Sequence, residues 1–151
     1  MMALCVRYTK DSQDAIEVMN DGFLKVFKNI GTYRPEKASF YTWVRTIIIH
    51  TAIDFLRKQA AYPEMGGLSD RVDEPVIDNE ALNKLNGEEM LRMIRQLPAA
   101  TGLVFNLYAV DGFTHREIGT LLSISEGTSR WHLSEARKQL KTIIHLMKSN
   151  P

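Results

Sequence analysis

A chain of 151 residues, 44% hydrophobic and 25% charged, has the composition of a soluble globular protein, with room for one ordinary domain or two small helical ones. Its formal net charge of +1 excludes a uniformly basic surface, so any contact with nucleic acid must come from local patches. Cys5 is the only cysteine, which excludes an internal disulfide and fits a reducing compartment, the cytoplasm; its side chain reads as a small buried apolar group.

The opening stretch MMALCVRYTK lacks the apolar core and small-residue cleavage site of a signal peptide. Asp14 is placed to cap a helix in which Ile16, Met19, Phe23, Val26, Phe27 and Ile30 form a 3.6-period stripe, with Gly31 ending it. TYRPEKAS is a turn-rich loop around Pro35. Ser39 then caps a long helix whose apolar side holds Phe40, Trp43, Val44, Ile47, Ile48, Ala52, Phe55 and Leu56. Within it VRTIIIHTAI is apolar but too short to span a bilayer, and it carries Arg45 and His50, so no membrane insertion is expected. Neither helix can bury its stripe alone, so the two must pack on each other.

From residue 60 to residue 79 the character changes. The segment holds Pro63, Gly66, Gly67 and Pro75, and sets Glu64, Asp70, Asp73, Glu74 and Asp78 against Arg71 alone, the pattern of a flexible acidic linker. Helical periodicity resumes with Leu82, Leu85, Met90, Met93, Ile94 and Leu97, followed by Pro98 and by Val104, Phe105, Leu107 and Tyr108. The expected fold is all-α: a helical domain over 1–59, an acidic linker over 60–79, and a second helical domain over 80–151. Basic residues cluster at both ends. Lys25 to Lys58 contains seven Lys or Arg against Glu36 and Asp54, and His115 to Lys148 contains six against Glu117, Glu126 and Glu135.

The stretch FTHREIGTLLSISEGTSRWHLSEARKQL carries the sharpest local signal. Thr114 with Glu117 three residues on is a capping box, so a helix is predicted over 115–122 with Ile118, Leu121 and Leu122 facing inward. The rhythm breaks at Ser123, Ile124 and Ser125 and resumes at once, the length of the turn in a helix-turn-helix. Ile124 plugs the angle, Ser125 caps the second helix, and Gly127 and Thr128 keep its first turn slim. Ser129, Leu133, Ala136 and Leu140, spaced four, three and four apart, form the buried face. Arg130, Trp131, Ser134 and Arg137 project elsewhere. In a helix-turn-helix, side chains near the start of the second helix enter the major groove while flanking hydroxyls and basic groups hold phosphates.

LPAATGLVFNLYAVDGFTHREIGTLLSISEGTSRWHLSEARKQL resembles the promoter-reading C-terminal domain of bacterial sigma-70 family factors of the extracytoplasmic-function (ECF) group. The resemblance is carried by Leu97-Pro98, Gly112-Phe113-Thr114, Glu117-Ile118, Ile124-Ser125, Gly127-Thr128, Leu133 and Ala136-Arg137. The front half is similar independently: DAIEVMNDGFLKVFKNI resembles the family's polymerase-binding helix, and YRPEKASFYTWVRTIIIHTAIDFLRK its −10 element loop and helix. The resemblance implies a transcription initiation factor, not an enzyme, with no cofactor or metal. Its implied partners are RNA polymerase core, through the clamp helices of the largest subunit, promoter DNA, and an anti-sigma factor. It implies that Glu17, Asn20 and Asp21 meet polymerase. Tyr33, Lys37, Ser39, His50, Arg57 and Lys58 would meet the −10 element, with the loop from Tyr33 to Ser39 holding a flipped base and Arg57 and Lys58 meeting phosphates. Ser125, Thr128, Arg130, Trp131 and Arg137 would meet the −35 duplex, and the acidic linker would thread polymerase. The chain departs from the family pattern at His50, where Asn is usual beside the −10 base, at Trp131, usually small, at His132, commonly basic, and at Glu135, commonly Arg. It also begins inside what is usually the first helix, an N-terminally short domain.

Two other readings explain less. A helix-turn-helix regulator working without polymerase accounts for Thr114 to Leu140 but not for KASFYTW and the loop before it. A metal protein or enzyme would need more than the i,i+4 pair His50 and Asp54, which has no third ligand nearby in sequence.

Overall fold

The computed structural model describes residues 1–59 and 87–149, and the acidic stretch, together with Leu82 and Leu85, lies outside the described residues. The chain divides into two compact units, Met1–Tyr62 and Pro63–Pro151. The described residues form seven α-helices and no strand.

The N-terminal unit holds α1 (Met2–Tyr8), α2 (Ser12–Asn29), a single 3-10 turn (Ile30–Thr32) and α3 (Phe40–Lys58). α2 begins earlier than the sequence reading placed it. The cap is Asp11, whose carboxylate accepts from the Asp14 amide at 2.9 Å, so Asp14 lies in the first turn instead. Thr9 braces the preceding corner, its hydroxyl donating to the Cys5 and Asp11 carbonyls. Gly31 does not stop the helix. It lies within the 3-10 turn, which carries the chain on to Tyr33.

The core face of α2 also differs from the stripe expected. Ala15, Val18, Gly22 and Val26 are buried, whereas Ile16, Phe27 and Ile30 are exposed, Phe27 by 74%. The reason is a close helix crossing: a Cβ on Gly22 would collide with the Ile48 side chain of α3. Small residues let the backbones approach, and the bulky ones are left on the far side. α3 contributes Val44, Ile48, Ile49, Ala52, Ile53 and Phe55 to the same core, and Cys5 of α1 is fully buried as expected. Each large aliphatic buried in this way contributes about 1.5–3 kcal/mol. Phe40 and Trp43, expected on the apolar side of α3, are 48% exposed and half-buried respectively.

The C-terminal unit holds α4 (Gly87–Ile94), α5 (Ala99–Phe105), a π turn (Asn106–Val110), α6 (His115–Leu122) and α7 (Glu126–Ser149). Pro98 stands at the α5 N-cap, where its missing amide costs nothing. The π turn widens the exit of α5, with the Asp111 amide donating to the Asn106 carbonyl and the Phe113 amide to the Leu107 carbonyl, both at 2.9 Å. Gly112 then reverses the chain at φ 77°, a left-handed value that suits glycine. α5 and α6 both pack on α7. Leu103, Val104, Phe105, Leu107, Ile118, Leu122, Leu133, Ala136 and Leu140 are buried, with Met93 and Ile94 of α4.

Candidate nucleic-acid interface

The helix-turn-helix is built by local hydrogen bonds that its sequence encodes. The Thr114 hydroxyl accepts from the Glu117 amide at 3.2 Å, and Glu117 Oε2 accepts from the Thr114 amide at 2.8 Å. This reciprocal cap starts α6 at His115 and holds the Glu117 carboxyl below the usual carboxylate range. α6 ends at Leu122, and Ser123 turns the chain with φ 58° and ψ 44°, the left-handed conformation usually given to glycine. The Ile124 amide donates back to the Gly119 carbonyl at 3.0 Å. Gly119 is required by the same turn, because a Cβ there would lie 2.8 Å from the Ile124 carbonyl oxygen. Ser125 caps α7, its hydroxyl accepting from the Thr128 amide at 3.0 Å.

Three further contacts fasten this hairpin to its unit. His115 Nδ1 pairs with the Ser129 hydroxyl at 2.8 Å, joining α6 to α7, and the His115 ring stacks on Tyr108, centroids 4.4 Å apart. His132 Nδ1 pairs with the Thr101 hydroxyl at 3.1 Å, joining α7 to α5.

Ser129, Leu133, Ala136 and Leu140 are all buried, as their spacing requires. The buried face is wider than expected, since Ser134, read as projecting elsewhere, is 2% exposed. His132 is likewise a core residue rather than a groove-side departure from a basic position: it is 3% exposed, and its Nε2 is buried with no hydrogen-bond partner. Burial pushes its pKa below the ordinary 6.5.

Of the residues named for duplex contact, Ser125 and Arg130 are exposed and Thr128, Trp131 and Arg137 are half-buried. Ser125 and Thr128 share a hydroxyl–hydroxyl contact of 2.9 Å in the first turn of α7. Arg130 Nη2 lies 2.8 Å from Glu126 Oε2, one turn before it. Trp131 rests edge-on against His132, centroids 4.9 Å apart, so part of its surface folds over its own unit. Glu135 accepts from Gln139 at 2.8 Å.

In the N-terminal unit the loop before α3 is organised around aromatic rings. Tyr33 meets Phe40 edge-to-face at 5.3 Å and Trp43 at 5.4 Å, and Phe40 meets Trp43 at 5.9 Å. The Tyr33 hydroxyl donates to the Ala38 carbonyl at 3.2 Å, and Arg34 Nη1 donates to the Gly31 and Tyr33 carbonyls at 2.9 Å each. Lys37 and Ser39 are exposed on this loop, and Ser39 caps α3 by accepting from the Thr42 amide at 3.2 Å. Tyr41, beside the cluster, is 64% exposed. Phe40, expected on the apolar side of α3, is instead a surface residue, and its sequence signal is the crowding of aromatics between Tyr33 and Trp43 directly after a turn.

His50, Arg57 and Lys58 are exposed along α3. Asp54 lies among them, 3.3 Å from Lys25 Nζ of α2 and 3.5 Å from Arg57. Glu17, Asn20 and Asp21 are exposed on α2, on a surface that also carries Leu24, 51% exposed, and Phe27, neither of which the sequence reading assigned to an interface.

No helix of the described residues is long and apolar enough to cross a membrane. Comparison with known proteins gives matches in both units. Residues 1–62 match the model of sigma-70 region 2, and residues 87–140 match that of sigma-70, region 4. The RNA polymerase sigma-H factor of Pseudomonas aeruginosa is 28% identical over 151 aligned residues, covering 93% of this chain and 78% of that protein. The ECF RNA polymerase sigma-E factors of Salmonella typhimurium and Escherichia coli are each 26% identical, covering 91% of this chain and 77% of theirs. With region 2 and region 4 both matched in order, the chain belongs to the sigma-70 family, and it is similar to ECF factors over most of its length.

Proposed function

We propose that the two units of this sigma factor divide promoter recognition between duplex and open strand. The factor initiates transcription with RNA polymerase, as its family does, and its work is recognition rather than catalysis. The C-terminal helix-turn-helix domain, taken as residues 80–151, reads the −35 element as duplex, with α7 in the major groove. One observation carries this assignment: at the start of α7 Ser125 and Arg130 are exposed and Thr128 is half-buried, while the stripe of Ser129, Leu133, Ala136 and Leu140 is buried in the unit. Hydroxyls and a guanidinium at the start of a recognition helix suit phosphate and base-edge contact, with Trp131 and Arg137 at its flank.

The N-terminal domain, taken as residues 1–59, holds the −10 element after strand separation. An unstacked base needs an aromatic face and backbone partners, and the loop from Tyr33 to Ser39 offers both. Lys37, Ser39 and His50, all exposed, are assigned to the base, and Arg57 and Lys58 to its phosphates. Polymerase core is met by Glu17, Asn20 and Asp21 through the clamp helices of its largest subunit. The exposed Leu24 and Phe27 on the same helix suit a partner surface, because isolated solvation does not account for an aromatic 74% exposed beside a bare aliphatic. Residues 60–79 thread the enzyme as an acidic tether. The protein acts in the cytoplasm and is held in check by an anti-sigma factor.

The test uses the full chain assembled with polymerase core and titrated onto promoter duplexes. Arg130→Ala is expected to leave core binding intact, to weaken binding to a matched −35 duplex by about 1–3 kcal/mol, and to flatten preference at one base pair. Asp21→Lys is expected to lower core affinity first. Equal core affinity for Asp21→Lys and the unaltered chain contradicts the polymerase face, and unaltered discrimination by Arg130→Ala contradicts the groove-facing helix.

A further inference from the structure

The recognition helix carries a carboxylate where DNA would bring phosphates. Glu126 is the first residue of α7, and its Oε2 takes Nη2 of Arg130 at 2.8 Å. Both side chains are about half exposed, 46% for Glu126 and 49% for Arg130. Helix stability does not account for the pair, since an exposed i,i+4 ion pair adds little. A carboxylate in the first turn does suit the helix dipole, but any acidic residue there would serve, and Glu126 is oriented onto the very side chain that meets the base under the groove assignment.

We propose that Glu126 sets the base selectivity of the −35 contact, by holding Arg130 for a base edge and by opposing its use as a plain phosphate anchor. The proposal rests on the groove-facing assignment of α7. An arginine alone at this place is ambiguous, because its guanidinium bonds a phosphate and a guanine equally well in geometry. Glu126 removes that ambiguity in two ways. It occupies one side of the guanidinium and leaves the remaining N–H groups for a bidentate contact to guanine O6 and N7. It also brings a negative charge among phosphates, which is repaid only where a base presents an amino group to the carboxylate, as cytosine N4 and adenine N6 do in the major groove. A duplex without that arrangement leaves the carboxylate opposed to phosphate with nothing in return. This is selectivity by a repulsive element, which weakens wrong partners more than it strengthens the right one.

The experiment uses the full chain with polymerase core. Unaltered protein, Glu126→Gln and Arg130→Ala are each titrated onto a matched duplex, recovered by selection from a library randomised at −35, and onto an unselected duplex, at two salt concentrations. Circular dichroism establishes that each variant is folded. Glu126→Gln is nearly isosteric and removes only the charge. It is expected to bind the unselected duplex about fivefold tighter, the effect of one charge beside a phosphate in water, and the matched duplex with little change. Its salt dependence on the unselected duplex should steepen as Arg130 turns to phosphate. If Glu126→Gln keeps the unaltered ratio of matched to unselected binding while Arg130→Ala loses it, the role of Glu126 is overturned and the groove assignment stands. If Arg130→Ala also keeps the ratio, both are overturned. A uniform weakening of Glu126→Gln on every duplex would reduce Glu126 to a structural residue and would equally overturn the proposal.

Discussion

Replacing Gly119 by alanine opposes two effects of known size. Gly119 lies inside α6, and alanine in a helix interior is ordinarily favoured over glycine by about 0.5–1 kcal/mol. Here the added Cβ would lie 2.8 Å from the Ile124 carbonyl oxygen, well inside ordinary van der Waals contact. That oxygen has little room to retreat. The Ile124 amide is bonded back to Gly119, Ser123 is already left-handed, and Ser125 is fixed as the cap of α7. Overpacking of this kind costs about 1–3 kcal/mol, so the balance is a net loss of about 1 kcal/mol, opposite in sign to helix propensity. Gly102 in α5 is the control, since its added Cβ would stand 3.4 Å from the Ile94 carbonyl oxygen, at the edge of ordinary contact. The chain has two tryptophans, Trp43 and Trp131, one in each unit, so a Trp43→Phe background lets Trp131 fluorescence report the C-terminal unit alone in urea unfolding. Gly119→Ala should lower the midpoint and Gly102→Ala should leave or raise it. A Gly119→Ala midpoint at or above that of the background protein would refute the steric account of the turn.

Ser123→Gly should raise stability in the same assay by about 0.5–1 kcal/mol, because glycine adopts the left-handed conformation without the Cβ penalty; an unchanged or lower midpoint would count against strain at this turn. Thr114→Ala removes the hydroxyl that caps α6 and should cost about 1 kcal/mol by the same measurement. His132 gives the C-terminal unit a pH dependence of definite sign. Its folded pKa is depressed, so above its ordinary 6.5 both states are neutral and stability is full, while below it the unfolded chain takes the proton first and stability is lost. Melting followed by Trp131 at about pH 7.5 and about pH 5.5 should show that loss, and His132→Gln should reduce it.

The helix-turn-helix was legible because its determinants are local. Thr114, Glu117 and Ser125 act on amides three residues away, and the spacing of Ser129, Leu133, Ala136 and Leu140 alone identifies the buried side of α7. What escaped depended on partners distant in sequence. The inner face of α2 is Ala15, Val18, Gly22 and Val26, and a search for bulky apolar residues overlooks a surface whose fit to Ile48 comes from smallness. Phe40 and Trp43 satisfy the helical period of α3 yet lie toward the surface, because Tyr33, from outside the helix, gathers them into one aromatic group. Ser134 falls outside the four-residue stripe and His132 reads as a departure from a commonly basic position, yet both are buried, and the Thr101 hydroxyl that makes His132 tolerable in the core lies thirty-one residues earlier. The polymerase face is implied by its polar members, Glu17, Asn20 and Asp21, whereas Phe27 follows the apolar period of α2 and yet is exposed beside Leu24.

The most direct test of the whole account is transcription in vitro by polymerase core supplemented with this chain, on a promoter recovered from a library randomised at the −35 and −10 positions. The account predicts a transcript from one defined start that requires the added chain and is lost when either element is altered. Core that gives no promoter-specific transcript with the chain present, or a transcript indifferent to both elements, would contradict it.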